Sequence, residues 1–257
     1  MLDAFDSGTT IAPLTDDDPA LDEPDGYAIG AAAHALRVAR GEHPVGRKIG
    51  FTNRTVWPLF GIDRPVWSWV YDSTTPDLGA GPWQLDLARL IQPRIEPEIQ
   101  LHFARTPPAA ADELAILDCV DWIAHGFEIV QCPYPGWRFR LADSVAACVL
   151  HGKLVVGPRV AVSDAAECVA RLRDFTIVLS CDGEVAATGG GADVLDSPLL
   201  AFAHLAGVLV AQGEEPVAAG EVVTTGTLTN AMPIAPGQTW TTAISGLAVP
   251  DAAIRFS

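Results

Sequence analysis

The sequence predicts an α+β fold in which helices pack on the outside of a rolled, mixed sheet. Strand-like segments such as RIEPEIQL, FEIVQ and the closing stretch from Gly220 to Ser257 outnumber helix-like ones. They do not alternate regularly with helices as a doubly wound fold requires, and no fixed-period repeat is present. With 257 residues, 49% of them hydrophobic, the chain can bury one large core.

Residues 1–25 form an acidic, Pro/Asp-rich leader without helical or strand patterning, expected to be mobile or draped over a neighbour. Residues 26–257 are read as a single catalytic domain, 26–80 its helical and strand part and 81–257 its β-roll core. GYAIGAAAHALRVARGE predicts an Ala-rich helix stopped at Gly41. In GRKIGFTN, Ile49 and Phe51 alternate with Lys48 and Gly50 as in a short strand. DELAILDCVDWIAHG predicts a helix with Asp112 as N-cap and Gly126 as its end, and FEIVQ a strand directly after it. RLRDFTIVLSCDGEVAATGGG predicts a hairpin turning at Asp182-Gly183. DSPLLAFAHLAGVLVAQG has Ser197 as N-cap, Pro198 at the first helical position and Gly213 beyond the end.

Composition excludes several functions. A formal charge of −16 repels phosphates, which argues against nucleic acid or an anionic membrane as partner. The N-terminal stretch lacks the basic and apolar regions of a secretory signal, so a cytoplasmic location is expected. The apolar run PLLAFAHLAGVLVA has 14 residues, short of the roughly 20 that span a bilayer. Five cysteines, an odd number with no C-x-x-C pair, read as buried free thiols.

The chemistry concentrates in RIEPEIQL. At period two, Ile95, Pro97, Ile99 and Leu101 fall on one face and Arg94, Glu96, Glu98 and Gln100 on the other. Two glutamates on one strand face, about 6.5–7 Å apart, can turn their oxygens onto one hard cation; a solvated acidic face is the alternative. Pro97 argues against a plain central strand because it cannot donate to a ladder. A third ligand is needed, and Glu128, a lone acid between Phe127 and Ile129, is the candidate; pairing with Arg138 or facing solvent is the other possibility. Asp143 is a further single acid, with an N-cap role as its alternative. No H-x-x-x-H zinc pattern, P-loop, G-x-S-x-G elbow or catalytic-cysteine signature is present.

In their order, GRKIGFTN, FGIDRPVWSWVYDS, QPRIEPEIQL, FEIVQ, LADSVAACVLHG, SPLLAFAHLA and GEVVTTGTL resemble the 2-keto-4-pentenoate hydratase and 4-oxalocrotonate decarboxylase group of the fumarylacetoacetate hydrolase superfamily, from about Gly26 to the C-terminus. The resemblance implies the mixed β-roll of that superfamily and a cytoplasmic homo-oligomer. It also implies Mg²⁺ or Mn²⁺ held by Glu96, Glu98 and Glu128. Lys48 and Asp72 take the catalytic positions, and Asp143, Ser144 and Thr225 the substrate positions. The implied substrate is a small 2-oxo or 2-hydroxydienoic acid and the implied reaction the addition of water to it. Lys48 is expected to have a lowered pKa and to act as proton shuttle or oxyanion partner, with Asp72 orienting it or activating water. The chain departs from the family pattern in QCPYPGWRFRLADS, which is shorter and carries Cys132-Pro133 for a Ser-Arg pair, at Ser144 for an Asn, and at Asp196-Ser197 for Gly-His. These departures keep decarboxylation and C–C hydrolysis open, and with them an inactive binding partner of such an enzyme. Trp67, Trp69 and Tyr71 are expected either to reshape the pocket or to pack structurally.

Overall fold

The computed structural model describes residues 1–79 and 81–257. The chain opens with two short helices, α1 (Leu2–Ser7) and α2 (Leu14–Asp17), before α3 (Glu23–Ala39). Strands β1 (Pro44–Gly50) and β2 (Val66–Tyr71) flank the short helix α4 (Trp57–Phe60). β3 (Trp83–Leu85) precedes the long β4 (Arg94–Phe103), α5 (Glu113–Leu117) and β5 (Val120–Val130). α6 (Leu141–Ala146) leads to β6 (His151–Val155) and β7 (Val160–Ala161), and α7 (Ala165–Asp174) to the hairpin β8 (Thr176–Cys181) and β9 (Glu184–Gly190). After α8 (Pro198–Gln212) come β10 (Val222–Thr227), β11 (Met232–Pro233), β12 (Thr239–Ser245) and β13 (Ala253–Phe256).

Local chemistry accounts for most boundaries. Asp22 and Asp25 form a reciprocal capping box at the start of α3, each side chain accepting the other's backbone N–H. Ser197 Oγ accepts from Leu199 N at 3.2 Å to cap α8, and Gly213 closes it in the left-handed region. The β8–β9 turn places Asp182 and Gly183 at φ 50° and 90°, which Gly183 adopts without a Cβ clash. One expected element is different. The helix predicted for DELAILDCVDWIAHG ends at Leu117, and from Val120 the chain runs as one strand through FEIVQ to Val130. Val120, Trp122, Ile123 and Phe127 suit a strand buried on both faces, and pairing along β4 overrides the local helical preference.

Two mixed sheets form the body. The larger runs β2-β1-β10-β4-β5-β6, with β11 added on β4 and β7 on β5; the other runs β3-β13-β12-β8-β9. β1 lies parallel to β10 and antiparallel to β2, so residues 26–80 and 81–257 share one sheet. The expected division between those parts falls on Ala80, which lies outside the described residues. Pro97 does sit in a central strand. It has no N–H to give, and the register of β10 breaks beside it between Thr224 and Thr227.

The apolar face of β4 serves two cores. Ile95 packs between the sheets with Phe127, Leu179, Trp240 and Ile254. Ile99, Leu101 and Phe103 pack under the helices with Phe175, Phe202 and Leu205. Counted with the 3-10 turn before α8, Gly191–Gln212 is longer than the run read from sequence and apolar enough to cross a membrane, at mean hydropathy 1.8. Leu199, Phe202, Leu205 and Leu209 of that segment are used in the core.

Residues 1–25 lie along the body rather than apart from it. Buried Asp143, the expected substrate ligand, accepts from Thr15 N at 3.0 Å, Thr15 Oγ1 at 2.6 Å and Arg140 N at 2.8 Å. Arg138 pairs with Asp16 at 2.6 Å, which removes it as a partner for Glu128. Replacing Asp143 by Ala strands buried donors, so Asp143→Ala is expected to lower unfolding free energy by roughly 2–4 kcal/mol, read from urea denaturation.

Candidate metal centre

Antiparallel pairing of β4 and β5 sets Glu96 directly opposite Glu128, with Glu98 two residues along on the same face of β4. Ligand-capable oxygens of the three carboxylates lie within 4.8 Å of one another. Glu98 and Glu128 are fully buried, and Glu96 is half-buried. Lys48 arrives from β1, which reaches this sheet through its parallel partner β10, and its Nζ stands 2.8 Å from Glu128 Oε1. His151, the first residue of β6, places Nδ1 2.7 Å from the same oxygen. Glu98 Oε2 accepts from Thr224 Oγ1 and from Gly226 N at 3.0 Å. Gly226 has φ +106°, and a Cβ there would lie 1.8 Å from Thr52 Oγ1, so the bulge that aims its N–H at Glu98 requires glycine.

Each buried carboxylate is thus asymmetric. Glu98 Oε1 and Glu128 Oε2 are buried without a hydrogen-bond partner, while the other oxygen of each is held. Burial, with added repulsion from Glu128 and Glu96, pushes Glu98 well above the usual carboxylate range. Burial also pushes Glu96 up to about 7, against the attraction of Lys48. Burial penalises Glu128 too, but Lys48 and His151 outweigh it and hold the group below its ordinary value. For Lys48, burial opposes the charge, yet Glu128, Glu96 and Glu98 prevail and hold the ammonium above its ordinary pKa. The expected lowering of Lys48 is therefore corrected: three carboxylates around one amine favour its charged form.

A cavity of about 160 Å³ opens over Lys48 and Glu96. Its walls are mostly apolar, from Phe51, Phe60, Leu150 and Trp137, with Arg94 stacked on the Trp137 ring at 4.1 Å. Several expected site residues are elsewhere. Asp72 is half-exposed at the far end of β2 and bonds His43 N and Nδ1, whereas Ser68 is the β2 residue beside Lys48. Ser144 Oγ donates to Leu141 O within α6, and Thr225 Oγ1 donates to Ile99 O, so both serve the backbone. Asp143 is the leader's anchor. Trp67, Trp69 and Tyr71 pack with Tyr27, His34 and Arg47 rather than against the cavity. Sequence reasoning missed His151, Thr224, Gly226 and Trp137. Only Trp137 carried a signal, an aromatic in the segment that departs from the expected pattern; the others are brought in by register and by a bulge.

Comparison with known proteins decides the family. The 2-hydroxyhexa-2,4-dienoate hydratase of Comamonas testosteroni is 33% identical over 250 residues, 96% of this chain and 92% of that protein. The chain belongs to the 2-keto-4-pentenoate hydratase and 4-oxalocrotonate decarboxylase group of the fumarylacetoacetate hydrolase superfamily. A 2-keto-4-pentenoate hydratase of this group from Burkholderia vietnamiensis is 35% identical, covering 94% of this chain and 89% of that one. The structure of the group's 4-oxalocrotonate decarboxylase from Pseudomonas putida G7, complexed with magnesium and adipate, superposes with TM-score 0.88 at 28% identity, covering 100% of this chain and 94% of that one. Fumarylpyruvate hydrolase from Pseudomonas aeruginosa, at 15% identity and TM-score 0.57 over 82% and 88% of the chains, shares the superfamily fold. No protein-family model matches the chain.

Gathering carboxylates before a cation arrives costs the hydratase-like scaffold stability. Glutamine copies the neutral form that burial favours at position 98. In chelator-treated protein, Glu98→Gln is therefore expected to raise unfolding free energy by about 1 kcal/mol, measured by urea denaturation.

Proposed function

We propose that the protein is a divalent-metal-dependent hydratase that adds water to a 2-hydroxy-2,4-dienoate, through its 2-oxo-4-enoate form, to give a 4-hydroxy-2-oxo acid. The observation that carries this is the set of three carboxylates, two with bare buried oxygens, beside Lys48 at the base of an apolar cavity. The donor set is all oxygen and anionic, which suits Mg²⁺ or Mn²⁺, and Glu96, Glu98 and Glu128 would hold the ion. When bound, the ion supplies a Lewis acid for the carboxylate and 2-oxygen of the substrate.

The chain's own residues supply the rest. Lys48 Nζ lines the cavity as an ammonium and offers N–H donors where negative charge develops on the 2-oxygen; it also holds a proton there for transfer to carbon. Phe51, Phe60 and Trp137 cover the hydrocarbon part of the substrate and keep bulk water from it. No role at the reacting atoms is retained for Asp72. A second reading, decarboxylation of a 2-oxo dicarboxylate, is favoured by Arg94, a half-buried guanidinium in the cavity wall that suits a second substrate carboxylate. Its relatives include the 4-oxalocrotonate decarboxylase of a Pseudomonas species, 31% identical over 92% of this chain and 87% of that one. A binding-only role does not need the Lys48 ammonium at the carboxylates.

We also propose a cytoplasmic homo-oligomer; light scattering is expected to give a multiple of 27.1 kDa. The catalytic test is a turnover assay of metal-stripped protein with Mg²⁺ or Mn²⁺ restored, offering 2-hydroxypenta-2,4-dienoate, 4-oxalocrotonate and an acylpyruvate. Metal-dependent gain of water on the dienoate is expected; loss of carbon dioxide from the dicarboxylate alone would select the second reading. Glu98→Ala is expected to abolish saturable Mg²⁺ or Mn²⁺ binding in titration calorimetry. Lys48→Ala is expected to keep that binding and lose on the order of 10²–10⁴ in kcat, whereas Asp72→Ala stays near wild type.

A further inference from the structure

Glu128 is held by two donors, one of which, His151, stands outside the cavity. Its Oε1 meets two donors, Lys48 Nζ at 2.8 Å and His151 Nδ1 at 2.7 Å, and its buried Oε2 meets none. A carboxylate only accepts, so His151 Nδ1 carries the hydrogen in that contact. The other ring nitrogen, Nε2, stands 2.8 Å from Thr74 Oγ1 and in the neutral ring accepts its hydrogen, while that hydroxyl oxygen accepts from Tyr71 N at 3.2 Å. His151 comes within reach because the β5–β6 register shifts between Ile129 and Val130, which pairs Val130 with His151. The imidazole is buried and does not line the cavity over Lys48, so it cannot touch a substrate there. Lys48 does line that cavity and is shared with the reaction, which leaves His151 as the donor dedicated to Glu128.

We propose that His151, braced by Thr74, is a positioning residue that locks the Glu128 carboxylate so that Oε2 is its single cation-binding oxygen. This rests on the reading that Glu96, Glu98 and Glu128 hold a divalent cation. Donors outside the ligand set orient ligands and typically change metal affinity by about 10–100-fold when removed.

The test is Mn²⁺ affinity of the full chain, from the electron paramagnetic resonance signal of free Mn²⁺, with circular dichroism as the check on folding. His151→Leu is expected to raise Kd by about 10–100-fold, and His151→Asn, whose amide nitrogen replaces Nδ1, to stay within about threefold of wild type. Thr74→Val, which removes the brace together with the hydroxyl's contacts with Tyr71 but leaves the imidazole in place, is expected to fall between them. Should His151→Leu fail to fold, the Asn and Val variants carry the same comparison. Wild-type affinity in folded His151→Leu, or equal weakening in Leu and Asn variants, would overturn the positioning role. Glu128→Ala separates the two levels: if it binds Mn²⁺ as wild type does, the cation reading itself falls, whereas loss of binding there with an unaffected His151→Leu overturns only the role of His151.

Discussion

Three carboxylates whose oxygens come within 4.8 Å of one another in a largely buried site are the constraint on which the rest of the structure depends. Moving one such charge out of water costs several kcal/mol even after relaxation, and mutual repulsion adds to that. Lys48 pairs with Glu128 and the guanidinium of Arg94 acts on Glu96, but these two cations do not balance three buried acids, and a divalent cation supplies the missing positive charge. Burial, with repulsion between the acids added, drives Glu96 and Glu98 upward, whereas Lys48 and His151 hold Glu128 down.

The scaffold answers this constraint with backbone. Cross-strand pairing of β4 with β5 fixes the spacing of Glu96 and Glu128 through a ladder instead of through flexible side chains. The irregularity in β10 spends ladder pairing to turn the Gly226 N–H onto Glu98, and the shift in β6 does the same for His151 and Glu128. Both departures from ideal sheet geometry lie beside the cluster, where strained or irregular backbone is expected when function demands it. Arg47 and Lys48 divide one strand between two tasks: Arg47 faces away, packed on Trp69 and paired with Glu221 at 3.1 Å, and so pins the strand that delivers Lys48.

The acidic face of RIEPEIQL was legible because period two sorts its side chains without any tertiary information. Glu128 was legible as an unpaired acid in an apolar strand, and its use with the other two follows from pairing that sequence cannot index. The helix expected through Asp118 to Gly126 failed for the same reason, since Val120, Trp122 and Ile123 fit either periodicity until β4 is in place. Asp143 and Thr225 stand in motifs that resemble the family's, yet their side chains serve the leader and the backbone of β4. His151 was invisible: a lone histidine after Leu150 acquires meaning only when a register shift sets it on Glu128.

The parts that set chemistry and the parts that set selectivity come from different kinds of structure. The carboxylates, Lys48 and His151 stand on paired strands, whereas Phe60, Trp137 and Asn230 reach the cavity from segments between strands. The segment that carries Trp137 is also tied to the body at its far end, away from the cluster. Tyr134 Oη donates to Asp143 O at 2.8 Å, and Asp143 in turn holds Thr15 of the leader. Loop walls held this way can change length and composition without moving a ligand oxygen. The segment from Gln131 to Ser144 therefore shapes the wall of the cavity through Trp137. The ligand oxygens themselves stand on paired strands, so the wall and the cluster are separable parts of the structure.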